Sequence, residues 1–280
     1  MFFLFFITIE NIETVSKTSK TMDYSNITEL NLSNKGLTKL PDLSIYTNLK
    51  KLYCSYNKIT TLDNLPLTLT YLDCYNNEIT SLDNLPLTLT ALYCHYNRIS
   101  RLDNLPLTLE ILDCSINNIT SLDNLPPTII ELYCSCCNIT SLDNLPLTLV
   151  ELYCNRNLIT SLDYLPLTLK KLDCSENKIT SLDNLPNTLT ELSCSSNNIT
   201  SLDNLPHTLT QLYCFYNKIT SLDNLPLTVT ILDCSYNQIA TLDNLPLTLT
   251  ELYCYRNPLQ YNFEPTIENI RKHNNNKIEI

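Results

Sequence analysis

Leucine and a few other apolar residues recur along this chain at fixed spacing. From Leu49 to Thr248 the sequence repeats itself ten times with a period of 20 residues, and each copy follows L-x-x-L-x-C-x-x-N-x-I-x-x-L-D-N-L-P-x-T with few departures. Self-similarity at a period of roughly 20–50 residues is typical of a solenoid, in which each repeat packs against its neighbours. The period therefore predicts a solenoid.

Each repeat divides into a strand and a return segment. Because side chains alternate along a strand, L-x-x-L-x-C directs Leu52 and Cys54 to the core and Lys51 and Tyr53 to solvent. The return segment, 59–68 in the first copy, contains a proline and is too short for a helix of ordinary length. We expect it to be extended or polyproline-like.

An asparagine follows each strand where the chain turns inward. Its amide can both donate and accept hydrogen bonds, so it can satisfy backbone groups that have no partner in the sheet. It occupies position 57 and every twentieth position to Asn257, except that Cys137 replaces it in one repeat. A buried group without a partner costs roughly 1–3 kcal/mol, so we expect a local weak point there.

The ends of the chain depart from the repeat, as the caps of a solenoid do. An opening repeat has Leu32 in the cysteine position and Lys35 in the asparagine position. After the last repeat, Pro265–Lys272 reads as a short capping helix over the last strand edge, and Asn274–Asn276 as a frayed tail. The predicted parts are an N-terminal apolar extension (1–21), a capping repeat (22–48), the repeats (49–260), and a C-terminal cap and tail (261–280).

The apolar run from Met1 to Ile9 has two interpretations. It resembles a degenerate signal sequence, but no basic residue precedes it, no small-residue cleavage site follows it, and it is too short to span a bilayer. Alternatively, translation begins at Met22, just before the repeat pattern. The sequence leaves both readings open.

Cysteine usage favours an intracellular protein. Eleven of the 13 cysteines, from Cys54 to Cys254, are spaced by 20 residues at an inward position and read as small apolar core residues. Stacked in register, their side chains point the same way rather than at each other, so we expect free thiols, which suit a reducing compartment. Strand alternation sends Cys136 outward, and we expect no metal site there.

The strand pattern L-x-x-L-x-C-x-x-N-x-I resembles the leucine-rich-repeat family, with Cys in a position usually filled by Leu. The second half, L-x-x-L-P-x-x-L, is similar to the Leu-Pro subclass of secreted bacterial effectors. The N-P-L-x-Y-N-F-E-P run that ends at Pro265 resembles repeat proteins encoded by giant DNA viruses of amoebae. The resemblance implies a curved parallel sheet on the concave side, protein recognition on that face and no intrinsic catalysis.

The solvent side of the strands carries the candidate binding residues. Tyr and Asp nearly alternate at its central position, and Tyr suits interface hot spots because it offers a large apolar area with a polar tip. The competing explanation is that a 40-residue segment was duplicated and that Tyr is merely tolerated on a sheet surface. The predicted partner-binding residues are Tyr53, Asp73, Tyr93, Asp113, Tyr133, Tyr153, Asp173, Tyr213, Asp233 and Tyr253.

A second column of acidic residues is formed by the Asp of L-D-N-L-P, from Asp63 to Asp243. One interpretation is that each carboxylate accepts hydrogen bonds from backbone donors in an Asx turn. The other is that the column binds Ca²⁺, which prefers several oxygen ligands. We expect no cofactor and no catalytic site, because the three histidines lie in no catalytic or metal motif and the single glycine rules out a phosphate-binding loop.

The net charge of −11 argues against nucleic acid or an anionic membrane as a partner. The sequence therefore predicts a non-enzymatic module that binds a protein partner with a neutral or basic surface, in the cytoplasm of the cell or of a host cell. The alternative is a structural or surface-displayed repeat protein without one specific ligand. The sequence leaves the oligomeric state open.

Overall fold

The computed structural model describes residues 24–278. Their contacts divide them into two compact units. The first unit holds the described residues up to Ile119 together with Asn124–Ile129, and the second holds Thr120–Asp123 and the residues from Ile130. The apolar N-terminal run and the choice between Met1 and Met22 lie outside the described residues.

Within residues 24–278, twelve strands of three residues each form where L-x-x-L-x-C predicts them. Their middle residue is the second leucine of the pattern, so one apolar side chain per strand faces the core. The first unit contains β1 (Glu29–Asn31), β2 (Lys51–Tyr53), β3 (Tyr71–Asp73), β4 (Ala91–Tyr93) and β5 (Ile111–Asp113). The second contains β6 (Glu131–Tyr133), β7 (Glu151–Tyr153), β8 (Lys171–Asp173), β9 (Glu191–Ser193), β10 (Gln211–Tyr213), β11 (Ile231–Asp233) and β12 (Glu251–Tyr253).

Within each unit the strands pair in parallel with their sequence neighbours. Leu52 pairs with Leu72 in the first unit, and Leu192 pairs with Leu212 in the second, so equivalent residues of successive repeats face each other. This register stacks the leucines and cysteines of one repeat on those of the next. The predicted solenoid with a parallel sheet is confirmed.

The return segments contain two turns and no helix, as predicted. The first turn has Asn64 in the left-handed region (φ 59°), which Asn tolerates better than most residues. A threonine then connects successive return segments, since Thr88 Oγ1 donates to the carbonyl oxygens of Leu67 and Leu69 at 2.8 and 2.7 Å. These side-chain bonds hold neighbouring return segments together without a helix.

The asparagine after each strand joins one repeat to the next. In a representative copy, Asn197 Nδ2 donates to the carbonyl oxygens of Cys174, Cys194 and Ser195 at 3.1, 3.0 and 3.2 Å. Its Oδ1 accepts from the Ile179 N–H at 2.9 Å. One buried amide therefore satisfies backbone groups of two repeats, as the sequence predicted. We call the set of these residues, Asn57 to Asn257, the asparagine ladder.

Cys137 interrupts the asparagine ladder. Its side chain is buried, and its thiol lies 3.6 Å from the Ser135 carbonyl oxygen, a weak interaction. Within the second unit, the neighbouring Cys134 carbonyl accepts from Asn157 Nδ2 at 2.9 Å. A thiol has one weak donor where an amide has two strong ones. Reduced local stability at this repeat stays a prediction.

The eleven inward cysteines, which we call the cysteine column, are buried free thiols. Burial raises the pKa of Cys54 and Cys194 to about 12 and that of Cys254 to about 11. These thiols act as apolar core residues. Cys136 is partly exposed, as strand alternation predicted.

The aspartates of L-D-N-L-P bind side chains rather than the backbone donors that an Asx turn would use. Asp163 Oδ2 accepts from the Ser161 hydroxyl at 2.6 Å, and its Oδ1 accepts from Asn184 Nδ2 at 3.0 Å. These two hydrogen bonds, the first the stronger, hold the pKa of Asp163 below 3.8. The expected donors were wrong because the serine two residues earlier and the asparagine one repeat later both reach the carboxylate. These aspartates, from Asp63 to Asp243, thus link successive return segments, and we call them the aspartate column.

The C-terminal helix, α1 (Ile267–Ile278), extends beyond the predicted Pro265–Lys272. The predicted fraying at Asn274–Asn276 is wrong, because Asn274 Nδ2 donates to the Asp243 carbonyl at 2.8 Å and ties this turn to the last full return segment. A contact so distant in sequence has no local signal.

Helix α1 caps the core of the second unit. Ile270 is fully buried, and Arg271 Nη2 donates to the carbonyl oxygens of Leu247 and Leu249 at 2.8 and 3.0 Å. These contacts place the helix against a return segment. Glu251 and Tyr253 of β12 stay exposed, so the helix does not cover the outward side of the last strand.

Replacement of one ladder asparagine should destabilise the protein strongly. Asn197→Ala leaves the Ile179 N–H and three carbonyl groups without this partner, so we expect a loss of roughly 2–4 kcal/mol in unfolding free energy. Asn198→Ala is the matched control, because Asn198 is exposed and should change stability by less than about 0.5 kcal/mol. Urea denaturation followed by circular dichroism measures both. Equal losses would contradict the role of the ladder.

Thiol labelling should separate the cysteine column from Cys136. We expect iodoacetamide at pH 8 to modify Cys136 of the native protein, while the column reacts only in urea, since burial keeps those thiols protonated and shielded. Mass spectrometry of tryptic peptides identifies the labelled sites, and Cys136→Ser should remove the native signal. Rapid native labelling along the column would show that the repeats open.

Calcium should leave the stability of the chain unchanged. The carboxylates of the aspartate column already accept hydrogen bonds, and residues 24–278 contain no group of three or more His, Cys, Asp or Glu arranged to hold a metal ion. We expect the same melting temperature, within about 1 °C, in calcium and in chelator, because a bound ligand would raise it. A calcium-dependent rise in melting temperature that Asp163→Asn reduces would instead support a calcium site.

Candidate functional site

The first and third residues of every strand point away from the core, and we call these two rows the strand face. The third residues are the ten predicted binding residues together with Asn31 and Ser193. Nine of the ten are half-buried by their neighbours, and Tyr253 is exposed. In the first unit Tyr53 pairs with Asp73, and Asp73 pairs with Tyr93. The Tyr and Asp residues that alternate along the sequence are therefore neighbours on adjacent strands.

Three tyrosines of the first unit form one cluster. The Tyr71 ring lies 5.3 Å from the rings of both Tyr53 and Tyr93. Partial burial and the nearby Asp73 carboxylate raise the pKa of Tyr71 to about 12. Tyr71 was missed as a site residue, although it lies two residues before Asp73 and period-two alternation puts both on one face.

A second aromatic group of the first unit lies just beyond the strand ends. Tyr75 stacks on His95 with ring centroids 4.4 Å apart and meets Tyr56 edge-on at 4.8 Å. His95 Nδ1 is 3.0 Å from Asp113 Oδ2, within ion-pair distance for a protonated imidazole, but the angle is not that of a hydrogen bond. The group widens the aromatic surface of this unit.

The second unit begins with a stacked pair. The ring centroids of Tyr133 and Tyr153 are 4.6 Å apart, and the ring planes are nearly parallel, with an interplanar angle of 1°. The Tyr153 hydroxyl donates to Glu151 Oε2 at 2.9 Å, and Glu151 Oε1 binds Lys171 Nζ at 3.0 Å. Burial and this glutamate raise the pKa of Tyr153. The Tyr153 hydroxyl is thus held in orientation by a carboxylate of its own strand.

The strand face of the second unit is acidic. Its two rows carry six carboxylates and one lysine. Glu131 and Glu151 are even directly paired across β6 and β7, an unfavourable arrangement of like charges. The charged residues are Glu131, Glu151, Asp173, Glu191, Asp233, Glu251 and Lys171. This face favours cationic ligands.

Two shallow pockets open on the second unit, one on the strand face and one where that face meets the segments just after the strands. One, of 240 Å³, lies where Ser193 interrupts the row of larger residues, with Tyr153 and Tyr213 on either side. The other, of 280 Å³, lies over β11 and β12 near Tyr236. The sequence did not predict the pockets, although the single serine in a Tyr/Asp row is a visible signal for the first.

The return segments present a different surface. The residue after the proline of L-P-x-T is a leucine in most repeats, with 72% to 86% of its surface exposed. We call these residues the leucine column, and they are Leu67, Leu87, Leu107, Leu147, Leu167, Leu227 and Leu247. Pro127, Asn187 and His207 interrupt the column. It contains no ionisable group other than the histidine and offers apolar contact only.

A membrane-spanning element is not found in the part of the chain that the structure covers. No helix there is both long enough and apolar enough to cross a bilayer.

Comparison with known proteins agrees with the fold. The family model of leucine-rich repeats (two copies) matches residues 25–67 and 167–207. No curated protein sequence gives a significant match. YopM from Yersinia enterocolitica WA-314 is 37% identical with a TM-score of 0.74, and the match covers 80% of this chain and 50% of YopM. The chain therefore spans half the length of that relative.

Two further solved structures extend the comparison. The functional domain of InlJ from Listeria monocytogenes, described as including a cysteine ladder, is 32% identical with a TM-score of 0.62, over 85% of this chain and 65% of that domain. The leucine-rich-repeat domain of a Shigella effector is 30% identical with a TM-score of 0.50, over 56% of this chain and 72% of that domain. With these identities, the matched repeats and the observed solenoid, the chain belongs to the leucine-rich-repeat family.

Proposed function

We propose that this chain is a non-enzymatic interaction module that binds a protein partner through the strand face. The observation that carries the proposal is the grouping of tyrosines and carboxylates on a sheet whose register is fixed by the asparagine ladder. Aromatic side chains with low conformational freedom and a polar tip supply much of the energy of protein interfaces. A fixed sheet presents them without an ordering cost on binding.

The charge of the strand face selects the partner. Carboxylates exceed cations on it, so a neutral or basic protein surface is favoured and the phosphates of nucleic acids or anionic lipids are repelled. Where a tyrosine hydroxyl donates to a glutamate, as in Tyr153, the hydrogen bond holds the ring in place. The carboxylate can still accept further hydrogen bonds from a partner. The ten predicted residues, Tyr53 to Tyr253, form the centre of the proposed interface, and Tyr71 joins them.

The relatives support an interaction role. One is an effector domain from Shigella and another is YopM from Yersinia. Because this chain covers half of YopM, any activity or partner of the whole of that protein is only a guide. A host-cell protein as partner, and the likeness to proteins of amoebal viruses, remain hypotheses that the bacterial relatives leave untested.

We also propose an intracellular location. The cysteine column holds eleven free thiols in one row, which an oxidising compartment would put at risk during folding. A secreted protein is the less favoured reading.

The leucine column favours a second candidate function. Leucines exposed by more than 70% on each unit offer an apolar surface for lateral assembly, as expected of a structural or surface-displayed repeat protein. In this reading the strand face has no specific ligand. The two readings differ in which surface is required for association.

Tyrosine substitutions on the strand face should abolish partner capture. We expect Tyr93→Ala with Tyr133→Ala and Tyr153→Ala to reduce capture from host-cell lysate by at least about tenfold, since hot-spot tyrosines each contribute roughly 1–2 kcal/mol or more. The measurement is a cross-linked pulldown with residues 22–280, quantified by mass spectrometry.

The matched control carries Leu147→Ala and Leu167→Ala, which shorten exposed side chains on the return segments. It should retain the partner, and both variants should keep the parental circular dichroism spectrum. Retention by the tyrosine variant together with loss in the leucine variant would favour the structural reading instead.

A further inference from the structure

The 280 Å³ pocket on the second unit is mainly aromatic. It lies over β11 and β12 and opens to solvent. Its lining consists of Phe215, Tyr216, Asp233, Ser235, Tyr236, Tyr253 and Tyr255. Five aromatic side chains surround one carboxylate here, which points to recognition of a cation, because ring faces attract positive charge.

The walls are exposed rings held in contact. Tyr216 and Tyr236 stack with centroids 4.0 Å apart, and Phe215 meets Tyr216 edge-on at 5.9 Å. Tyr253 and Tyr255 are 43% and 69% exposed, so both rings have surface that a ligand can cover. Such rings gain most when a ligand covers them.

The floor holds two acceptors with spare capacity. Asp233 Oδ1 accepts from the Ser235 N–H at 3.0 Å, while Oδ2 takes part in no hydrogen bond within the described residues. Ser235 is 3% exposed, and its hydroxyl has no partner there. The equivalent hydroxyls of Ser55 and Ser175 are bonded to residues of the next strand. That of Ser195 also has no partner within the described residues, but Ser195 lines neither of the two pockets.

A buried hydroxyl without a partner is costly, and its position under the pocket points to a ligand that completes it. The Ser235 oxygen is buried although its residue lines the pocket, so a ligand reaches it when an exposed tyrosine rotates. Exposed side chains change rotamer within nanoseconds, so this movement is no obstacle. Arg256 of the chain itself acts electrostatically on Tyr216 but does not line the pocket.

We propose that this pocket binds an arginine side chain of the protein partner. The guanidinium stacks on the tyrosine rings and donates N–H bonds to Asp233 Oδ2 and the Ser235 hydroxyl. Arginine fits better than lysine because it is planar, stacks on aromatic rings and carries several donors. A trimethylated ammonium has no N–H and would leave both acceptors unsatisfied. The inference rests on the proposed function for the origin of the arginine.

The test uses acetyl-arginine methylamide as the probe and its neutral citrulline counterpart as the control ligand. Titration of the ¹⁵N-labelled full chain should give saturable shifts of the Ser235 and Tyr236 amide signals with the arginine probe and none with citrulline. Equal response to citrulline, or tighter binding of a trimethyl-lysine probe, would overturn the assignment.

Two aspartate variants separate the pocket from general electrostatics. Asp233→Asn keeps the acceptor for the Ser235 N–H and removes the charge. It should lower the affinity for the arginine probe by about tenfold or more. Asp173→Asn is the matched control, because Asp173 Oδ1 makes the same bond to the Ser175 N–H at 3.0 Å and lies beside Lys171. It should change the affinity by less than about twofold. Equal losses would contradict a specific pocket.

Ser235→Ala adds a second readout. The hydroxyl has no partner in the free protein, so its removal should leave the melting temperature at or above that of the parent while weakening the probe by about threefold or more. A lower melting temperature with unchanged probe affinity would show that the hydroxyl is structural and overturn its role here.

Partner capture distinguishes this inference from the proposed function. Loss of capture in the Tyr93, Tyr133 and Tyr153 variant with full capture in Asp233→Asn would reject the arginine pocket and keep the strand face. Probe binding that depends on Asp233, with capture unaffected by either variant, would reject the proposed interface and with it the partner arginine.

Discussion

The hydrogen bonds of the asparagine ladder are the constraint on which the rest of the structure depends. A 20-residue repeat with three strand residues has too few sheet contacts to fold alone, so its stability must come from its neighbours. Each ladder amide supplies that link inside the core, where water cannot compete. Thr88 and Asp163 show the same principle on the return segments, since both bind groups of an adjacent repeat. Three columns of side-chain hydrogen bonds therefore join each repeat to its neighbours.

Because these hydrogen bonds lie in the core and on the return segments, the side chains of the strand face are not needed to join the repeats. The core positions are nearly invariant from repeat to repeat, whereas the outward positions vary among Tyr, Asp, Ser, Glu, Lys and apolar residues. Because the register is set from inside, a change outside alters the surface without shifting the sheet. The aromatic clusters of the first unit and the acidic rows and pockets of the second are thus local chemical choices on a constant scaffold.

Much of the fold could be read from the sequence because the period is unbroken. Strands, inward cysteines, helix-free return segments and the ladder follow from alternation and spacing alone. What could not be read depends on contacts across the structure: Asn274 extends α1 through a bond to Asp243, and Ser161 and Asn184 reach Asp163 only once the repeats are stacked. At the site, the sequence indicated which residues face outward. It could not indicate that Ser235 lacks a partner, because that depends on which side chain stands opposite it in the next repeat.

The hydrogen bonds of the asparagine ladder also have a genetic consequence. The Asn197 amide binds groups 23, 3 and 18 residues earlier in the chain, and the same separations recur in the ladder asparagines from Asn77 to Asn257. If a block of 20 residues between such copies is removed or duplicated, each ladder asparagine again lies at these sequence separations from its hydrogen-bond partners. A gene of this design can therefore change length in steps of 60 nucleotides through unequal recombination between its own repeats, and each product keeps a continuous core. Binding surfaces of different lengths are accessible without new mutations in the interior.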